Sequence, residues 1–261
     1  RRRMKRRRMK RSTRILLKIT LLFAVVGAAF GIAGFCLGFE RDQLSEALGK
    51  VRGRNTFLSG KTKKISETYT DIDALKLEIG AVSCRILSSD DGTWKVAGEE
   101  VPSDFETKAG GGTLKISGNT HRFWGFGFGG NSGAGIEIYV PKNAKLKNMD
   151  LDIGAGEVVM ENGSLISCEK LALDVGAGSC TLNLDLSKDA DVECGVGEIV
   201  LNLQGIESDF DYAVECGIGS VQIGDTEYSG LGTDKKISNK SKKKIGAQCG
   251  IGSISIDFEG K

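Results

Sequence analysis

The chain has 261 residues, 37 of them Gly and only two Pro, with a net charge of +2 and a single His, His121. Abundant Gly with so little Pro excludes a disordered linker protein and points to many tight backbone passages between strands. A lone His excludes two-His zinc sets and most chemistry built on a nucleophile–His pair, and no CxxC spacing occurs among the Cys residues.

The charge is unevenly placed. Residues 1–18 hold eleven of the 36 Lys and Arg and no acid, and beyond them 25 basic residues face 34 acidic ones. Next comes ITLLFAVVGAAFGIAGFCLGF, Ile19 to Phe39, 21 residues without a charge. At ~1.5 Å rise per residue such a helix crosses a ~30 Å hydrocarbon core, and it exceeds the ~7–15-residue apolar region of a cleaved signal peptide. Phe35 before Cys36 argues against a lipoprotein cleavage site. The expectation is one N-terminal transmembrane helix in the cell membrane. The basic arm is then cytoplasmic and lies against anionic lipid, and the rest of the chain is extracytoplasmic. The arm's place beside the span favours lipid headgroups over nucleic acid. Residues 40–64 read as a polar stalk.

From residue 65 to 261 the texture changes to short alternating runs punctuated by Gly. One unit recurs: LDIGAGEVVM (151–160), LDVGAGSCTL (173–182), VECGVGEIVL (192–201), VECGIGSVQI (214–223) and AQCGIGSISI (247–256). A degraded copy, LEIGAVSCRI (77–86), has Val82 in place of the second Gly. Self-similarity at about 20 residues marks a stacked, quasi-one-dimensional architecture. Before the first Gly stand Ile79, Ile153, Val175, Cys194, Cys216 and Cys249. Four residues after it stand Cys84, Val158, Cys180, Ile199, Val221 and Ile254. Cys replaces Val and Ile at inward positions, so Cys84, Cys180, Cys194, Cys216 and Cys249 read as small core hydrophobes. A disulfide between Cys194 and Cys216, taken as adjacent rungs, is the alternative to free thiols. The second Gly sits where the inward phase shifts, as a corner between two strands requires. The fold class predicted is all-β: a parallel β-solenoid ectodomain of ~20-residue GxG repeats, stacked in chain order.

The basic anchor, the apolar span and the repeated GAG-E-V and GVG-E-I units resemble the DUF4097 family, bacterial envelope proteins often labelled adhesins. Some relatives sit beside cell-envelope stress genes. The resemblance covers about residues 65–261 and implies the fold, but no catalytic residues. Val82, the Lys-rich insertion and the heavy use of Cys depart from it.

Three surfaces are candidates for function. Two residues before the first Gly runs an outward column with Glu78, Asp152, Asp174, Glu193, Glu215 and Gln248. It reads either as a solvated acidic face or, at Asp152, Asp174, Glu193 and Glu215, as a ladder holding a divalent cation, the one cofactor considered. In HRFWGFGFGGNSG (121–133), Arg122, Phe123, Trp124, Phe126 and Phe128 form an aromatic loop. It either caps the stack or touches a wall glycan, lipid or envelope protein. KKISNKSKKK (235–244) reads as a solvated basic loop or a contact for an anionic polymer.

The acidic column has no Lys, Arg or His interleaved in it, so no acid–base constellation is visible and the chain reads as a non-enzyme. The main functional reading is a membrane-anchored binding or scaffold module at the envelope, accessory to stress regulation. Its short stalk holds the domain near the membrane. The alternative is an adhesin for wall polymer or another cell, and the minor alternative is a polysaccharide-acting β-helix enzyme.

Overall fold

A strand buried on one side needs apolar residues at every second position, and from Thr62 onward that alternation is nearly unbroken. A computed structural model of the chain describes residues 62–80, 82–118, 135–161, 163–229 and 232–260. The basic arm, the apolar span, the stalk as far as residue 61 and the aromatic stretch 119–134 lie outside them. The described residues are all-β, as the alternation predicts: 16 strands in one sheet and a single 3-10 turn, Glu207–Asp209.

The strands are β1 (Thr62–Tyr69), β2 (Ala74–Ile79), β3 (Ser83–Ser89), β4 (Trp94–Pro102), β5 (Glu106–Gly110), β6 (Thr113–Gly118), β7 (Gly135–Pro141) and β8 (Lys145–Ile153). They continue with β9 (Glu157–Met160), β10 (Ile166–Val175), β11 (Ser179–Leu186), β12 (Ala190–Gln204), β13 (Phe210–Ile223), β14 (Thr226–Ser229), β15 (Thr233–Ile237) and β16 (Lys243–Glu259). One parallel ladder runs β6–β2–β8–β10–β12–β16–β13. A second runs β7–β3–β9–β11–β12–β16–β13. The two ladders are halves of the same levels, joined at the GxG corners. In β12, β13 and β16 the strand passes through the corner unbroken.

Between the ladders lies one core. Val175, Cys180, Leu182, Leu171 and Leu173 are the inward residues of one level, and their counterparts above and below are equally buried. Each such aliphatic side chain contributes ~1.5–3 kcal/mol relative to exposure.

The corner glycines answer to close packing of backbones. A Cβ on Gly178 would lie 1.9 Å from the Gly156 carbonyl oxygen, one on Gly197 2.0 Å from that of Gly178, and one on Gly219 2.2 Å from that of Gly252. The first glycines stack likewise, Gly195 against Gly176 at 2.5 Å and Gly250 against Gly195 at 2.6 Å. Val82 stands where the second column begins, with Gly156 packed on its backbone.

Two expectations require correction. The sequence predicts levels stacked in chain order, with Cys194 beside Cys216. Instead β16, the last strand, lies between β12 and β13, so Cys194 pairs with Cys249 and Cys249 with Cys216. The insertion before β16 makes this possible. β14 and β15 return antiparallel along the outer edge of β13 and bring the chain back to its start, from which β16 enters the slot. Nor is the sheet wholly parallel. The far end of the stack is closed by β4 on β7, β1 on β4 and β5 on β6, all antiparallel. Lys63, Lys64 and Lys108 on these terminal strands, with Lys235 and Lys236 on β15, put charge on edges that would otherwise invite another strand.

Candidate functional site

The acidic column assembles in register on one outer face, as Glu78, Asp152, Asp174, Glu193, Gln248 and Glu215. Because β16 is inserted, neutral Gln248 separates Glu193 from Glu215. Asp152, Asp174 and Glu193 are therefore contiguous, and Glu215 stands apart from them. At one end Glu78 is neutralised by Lys115 at 2.9 Å and Lys76 at 3.1 Å, which hold its carboxyl below the usual range. Lys76 also bonds Asp150 at 3.1 Å. Asp174 and Glu193 have the opposite character. Burial by the flanking levels pushes Asp174 up, with the Asp152 charge adding to it. Glu193 is raised by burial, then by Asp174, Asp191 and Glu215. Both side chains are exposed, yet the levels on either side displace part of their hydration. Among the described residues no three His, Cys, Asp or Glu side chains converge as a metal ion would require.

A second column, absent from the sequence reading, lies on the corner itself. The middle residues of the GxG units are Ala155, Ala177, Val196, Ile251 and Ile218 in spatial order. Val196 pairs with Ile251, and Ile251 with Ile218. Val196 and Ile218 are 45% and 50% exposed, so the inserted level produces a short aliphatic ridge flanked on both sides by bare glycine backbone. The signal was legible: a position between two corner glycines points away from the core, and there the repeats change from Ala to Val and Ile.

The Lys-rich insertion is structured. Lys235 and Lys236 lie in β15, and Lys243 and Lys244 begin β16. The turn between them is held by Asp211, which accepts from the Asn239 amide at 2.7 Å and the Ser241 amide at 3.1 Å. Those amide bonds, the Ser241 one foremost, hold the Asp211 carboxyl below the usual carboxylate range. Lys243 Nζ sits 4.9 Å over the Phe210 ring and donates to the Leu186 carbonyl at 3.2 Å.

Cys84, Cys180, Cys194, Cys216 and Cys249 are buried free thiols, as is Cys168. Burial pushes the Cys84 and Cys180 thiols far above their ordinary value and Cys168 up to about 11. None of these three is a reactive thiol. Arg122, Phe123, Trp124, Phe126 and Phe128 fall outside the described residues. Their flanks, Gly118 of β6 and Gly135 of β7, belong to the end level of the parallel stack.

These outer columns define a class, an all-β domain presenting periodic side-chain ladders. Residues 166–224, which span β10 to β13, match the family described as the N-terminal domain of toast_rack, DUF2154. Among solved structures, one described as a "putative cell adhesion protein" from Clostridium sporogenes is similar over 76% of this chain and 100% of its own. It has 17% identity and a TM-score of 0.50. A "putative adhesin" from Bacteroides fragilis is 17% identical over 74% of this chain and 97% of its own, with a TM-score of 0.34. A "putative lipid binding protein" from Parabacteroides distasonis is 15% identical over 77% and 96%, with a TM-score of 0.30. No curated protein matches the chain. At these identities the first likeness bears on the fold alone, and the other two carry no argument.

Proposed function

We propose that this chain is a non-enzymatic, single-pass envelope protein. Residues 1–18 face the cytoplasm, residues 19–39 cross the membrane, and the stacked β domain acts outside as an adhesive binding module. We read the stack as a short β-solenoid whose final level is inserted one place early. The observation that carries the functional reading is the ridge on a glycine corner formed by exposed Val196 and Ile218 with half-buried Ile251 between them. It offers aliphatic contacts at ~4.8 Å repeats with bare backbone on either side, a surface suited to an extended polymer or a strand-like partner. The description of the Clostridium sporogenes structure as a cell adhesion protein supports the same reading. The stress-regulatory scaffold role rests on the basic arm and the short stalk, and neither the fold nor the comparisons add to it.

The experiment is whole-cell binding to isolated wall polymer and to neighbouring cells by the full chain and by Val196→Asp/Ile218→Asp. Adhesion predicts at least a tenfold loss of binding with surface display unchanged. Unchanged binding removes the ridge from the function. If binding survives but replacing residues 19–39 with a Leu-rich span abolishes the phenotype, the membrane-partner reading takes its place.

A further inference from the structure

Two independent features meet at Cys249. The topology inserts β16 between two strands that precede it in the chain. The register places Cys249 directly between Cys194 of β12 and Cys216 of β13. Neighbouring strands in a ladder lie ~4.8 Å apart, inside the Cα separation that a disulfide spans, whereas two levels are ~9.6 Å apart and outside it. Cys194 and Cys216 therefore cannot bond each other, while Cys249 can bond either.

We propose that Cys194, Cys249 and Cys216 form a thiol ladder that is a site of reversible oxidation, in which Cys249 forms a disulfide with one neighbour and clamps the C-terminal strand into the sheet. The oxidant is a low-molecular-weight disulfide, RS–SR. The Cys194 thiolate attacks one sulfur, the S–S bond of RS–SR breaks, and the departing RS⁻ takes up the proton Cys194 has lost. Cys249 then attacks the Cys194 sulfur of the mixed disulfide. The Cys194–SR bond breaks, and the second RS⁻ leaves with the Cys249 proton. Two thiols are oxidised to one disulfide, and RS–SR is reduced to two RSH. The third thiol remains free to exchange into the bond.

Four observations bear on these residues. They sit immediately before the corner glycines, and their exposures are 3%, 5% and 3%, against 0%, 1% and 2% for Cys84, Cys180 and Cys168. Cys84 and Cys180 face Val158 from opposite sides and so are two levels apart. Within the ladder, Cys194 and Cys249 are register partners and their thiols influence each other. That pairing holds the Cys194 thiol below its ordinary value and Cys249 above, and Cys194 is accordingly taken as the entering nucleophile. Once Cys194 is capped, its register partner Cys249 is the adjacent thiol for the second step.

The test incubates the full chain in detergent with oxidised glutathione, alkylates the remaining thiols and cleaves after Glu. Cleavage there puts the three cysteines on separate peptides. The expected product is one disulfide per chain, always containing Cys249. Cys194→Val shifts it to Cys216–Cys249, and Cys249→Val abolishes it. Val is the replacement because Val175 fills the same column. Were Cys249→Val to misfold, Cys194→Val and Cys216→Val would still each have to yield the other linkage. Amide exchange over residues 243–259 should slow at least tenfold on oxidation and recover with dithiothreitol. A Cys194–Cys216 linkage, glutathionylation without an internal bond, complete alkylation, or unchanged exchange each overturns the proposal.

Discussion

At the scale of the residue, the corner glycines and the stacked acids are governed by the same close spacing of levels. A methyl group on Gly197 would sit 2.0 Å from the Gly178 oxygen, which lies in the corner between β10 and β11 and accepts the Glu198 amide at 3.2 Å. Gly197→Ala should therefore cost at least about 3 kcal/mol, the upper range for overpacking. Gly110, with nothing within 4 Å of its added Cβ, is the control. Gly110→Ala should change stability by less than about 1 kcal/mol, and urea melts of the pair compare the two directly. The acids obey Coulomb's law instead. Two carboxylates one level apart repel by about 1 kcal/mol in water-like surroundings. Asp174 lies between Asp152 and Glu193, and its folded-state value is raised above the unfolded one. The folded chain thus holds this proton more tightly than the unfolded chain. The resulting penalty is absent below the ordinary carboxylate range and sets in as pH rises through the folded value. Asp174→Asn should accordingly gain about 1 kcal/mol at pH 7, with the gain fading as pH falls toward 4. Thermal melts of both proteins across that range give the sign. Glu78 runs oppositely: its two Lys partners stabilise the fold above the unfolded value and are lost as pH falls through the depressed one.

Among the elements, the ladders were legible and their order was not. Columns such as Ile79, Ile153, Val175 and Cys194 could be read from spacing alone, because period-2 alternation and a repeated glycine fix both phase and register. Nothing in that pattern distinguishes a last level stacked outside its predecessor from one inserted inside it, since Cys249 fits equally beside Cys194 or Cys216. The choice is made by segments with no periodic signature, β14, β15 and the turn after them, which occupy the outer edge of β13 before β16 forms its pairs. The same ambiguity hid part of the candidate site. Asp152, Asp174 and Glu193 were foreseeable as neighbours, but the interruption by Gln248 and the union of Val196, Ile251 and Ile218 follow only from the insertion. The crossover that permits it is centred on Phe210. This ring is fully buried, lies 6.2 Å from Phe258 at the end of β16 and 6.4 Å from Tyr212, and carries Lys243 above it. Phe210→Ala should cost about 3–5 kcal/mol. The loss should appear first as faster amide exchange at Lys243–Ile245 and Phe258, before the β8–β10 levels are affected.

For the molecule as a whole, the insertion means that the sheet cannot be completed until residues 243–259 have been made. Residues 190–223 contain both strands that flank β16, yet without it β12 and β13 each present an unpaired, apolar-backed edge. Both edges stay open until β16, which follows them in the chain, takes its place. A chain ending before Lys243 should thus retain the β2–β8–β10 ladder but leave β13, β14 and β15 detached, and it should be cleaved by protease within residues 205–237. The slot itself is shaped by residues still present: Val192, Cys194, Ile199 and Leu201 on one side and Val214, Cys216, Val221 and Ile223 on the other. A peptide of residues 243–259 supplied separately should therefore enter as a strand bonded on both sides, by the physics through which extended peptides add to open sheets. Restored protease resistance at stoichiometric peptide, and no restoration by a peptide carrying Ile245→Asp and Ile254→Asp, is the expected result. If the truncated chain is already resistant, β16 is an accessory to a sheet that closes without it. The lateness of its insertion would then have no bearing on folding.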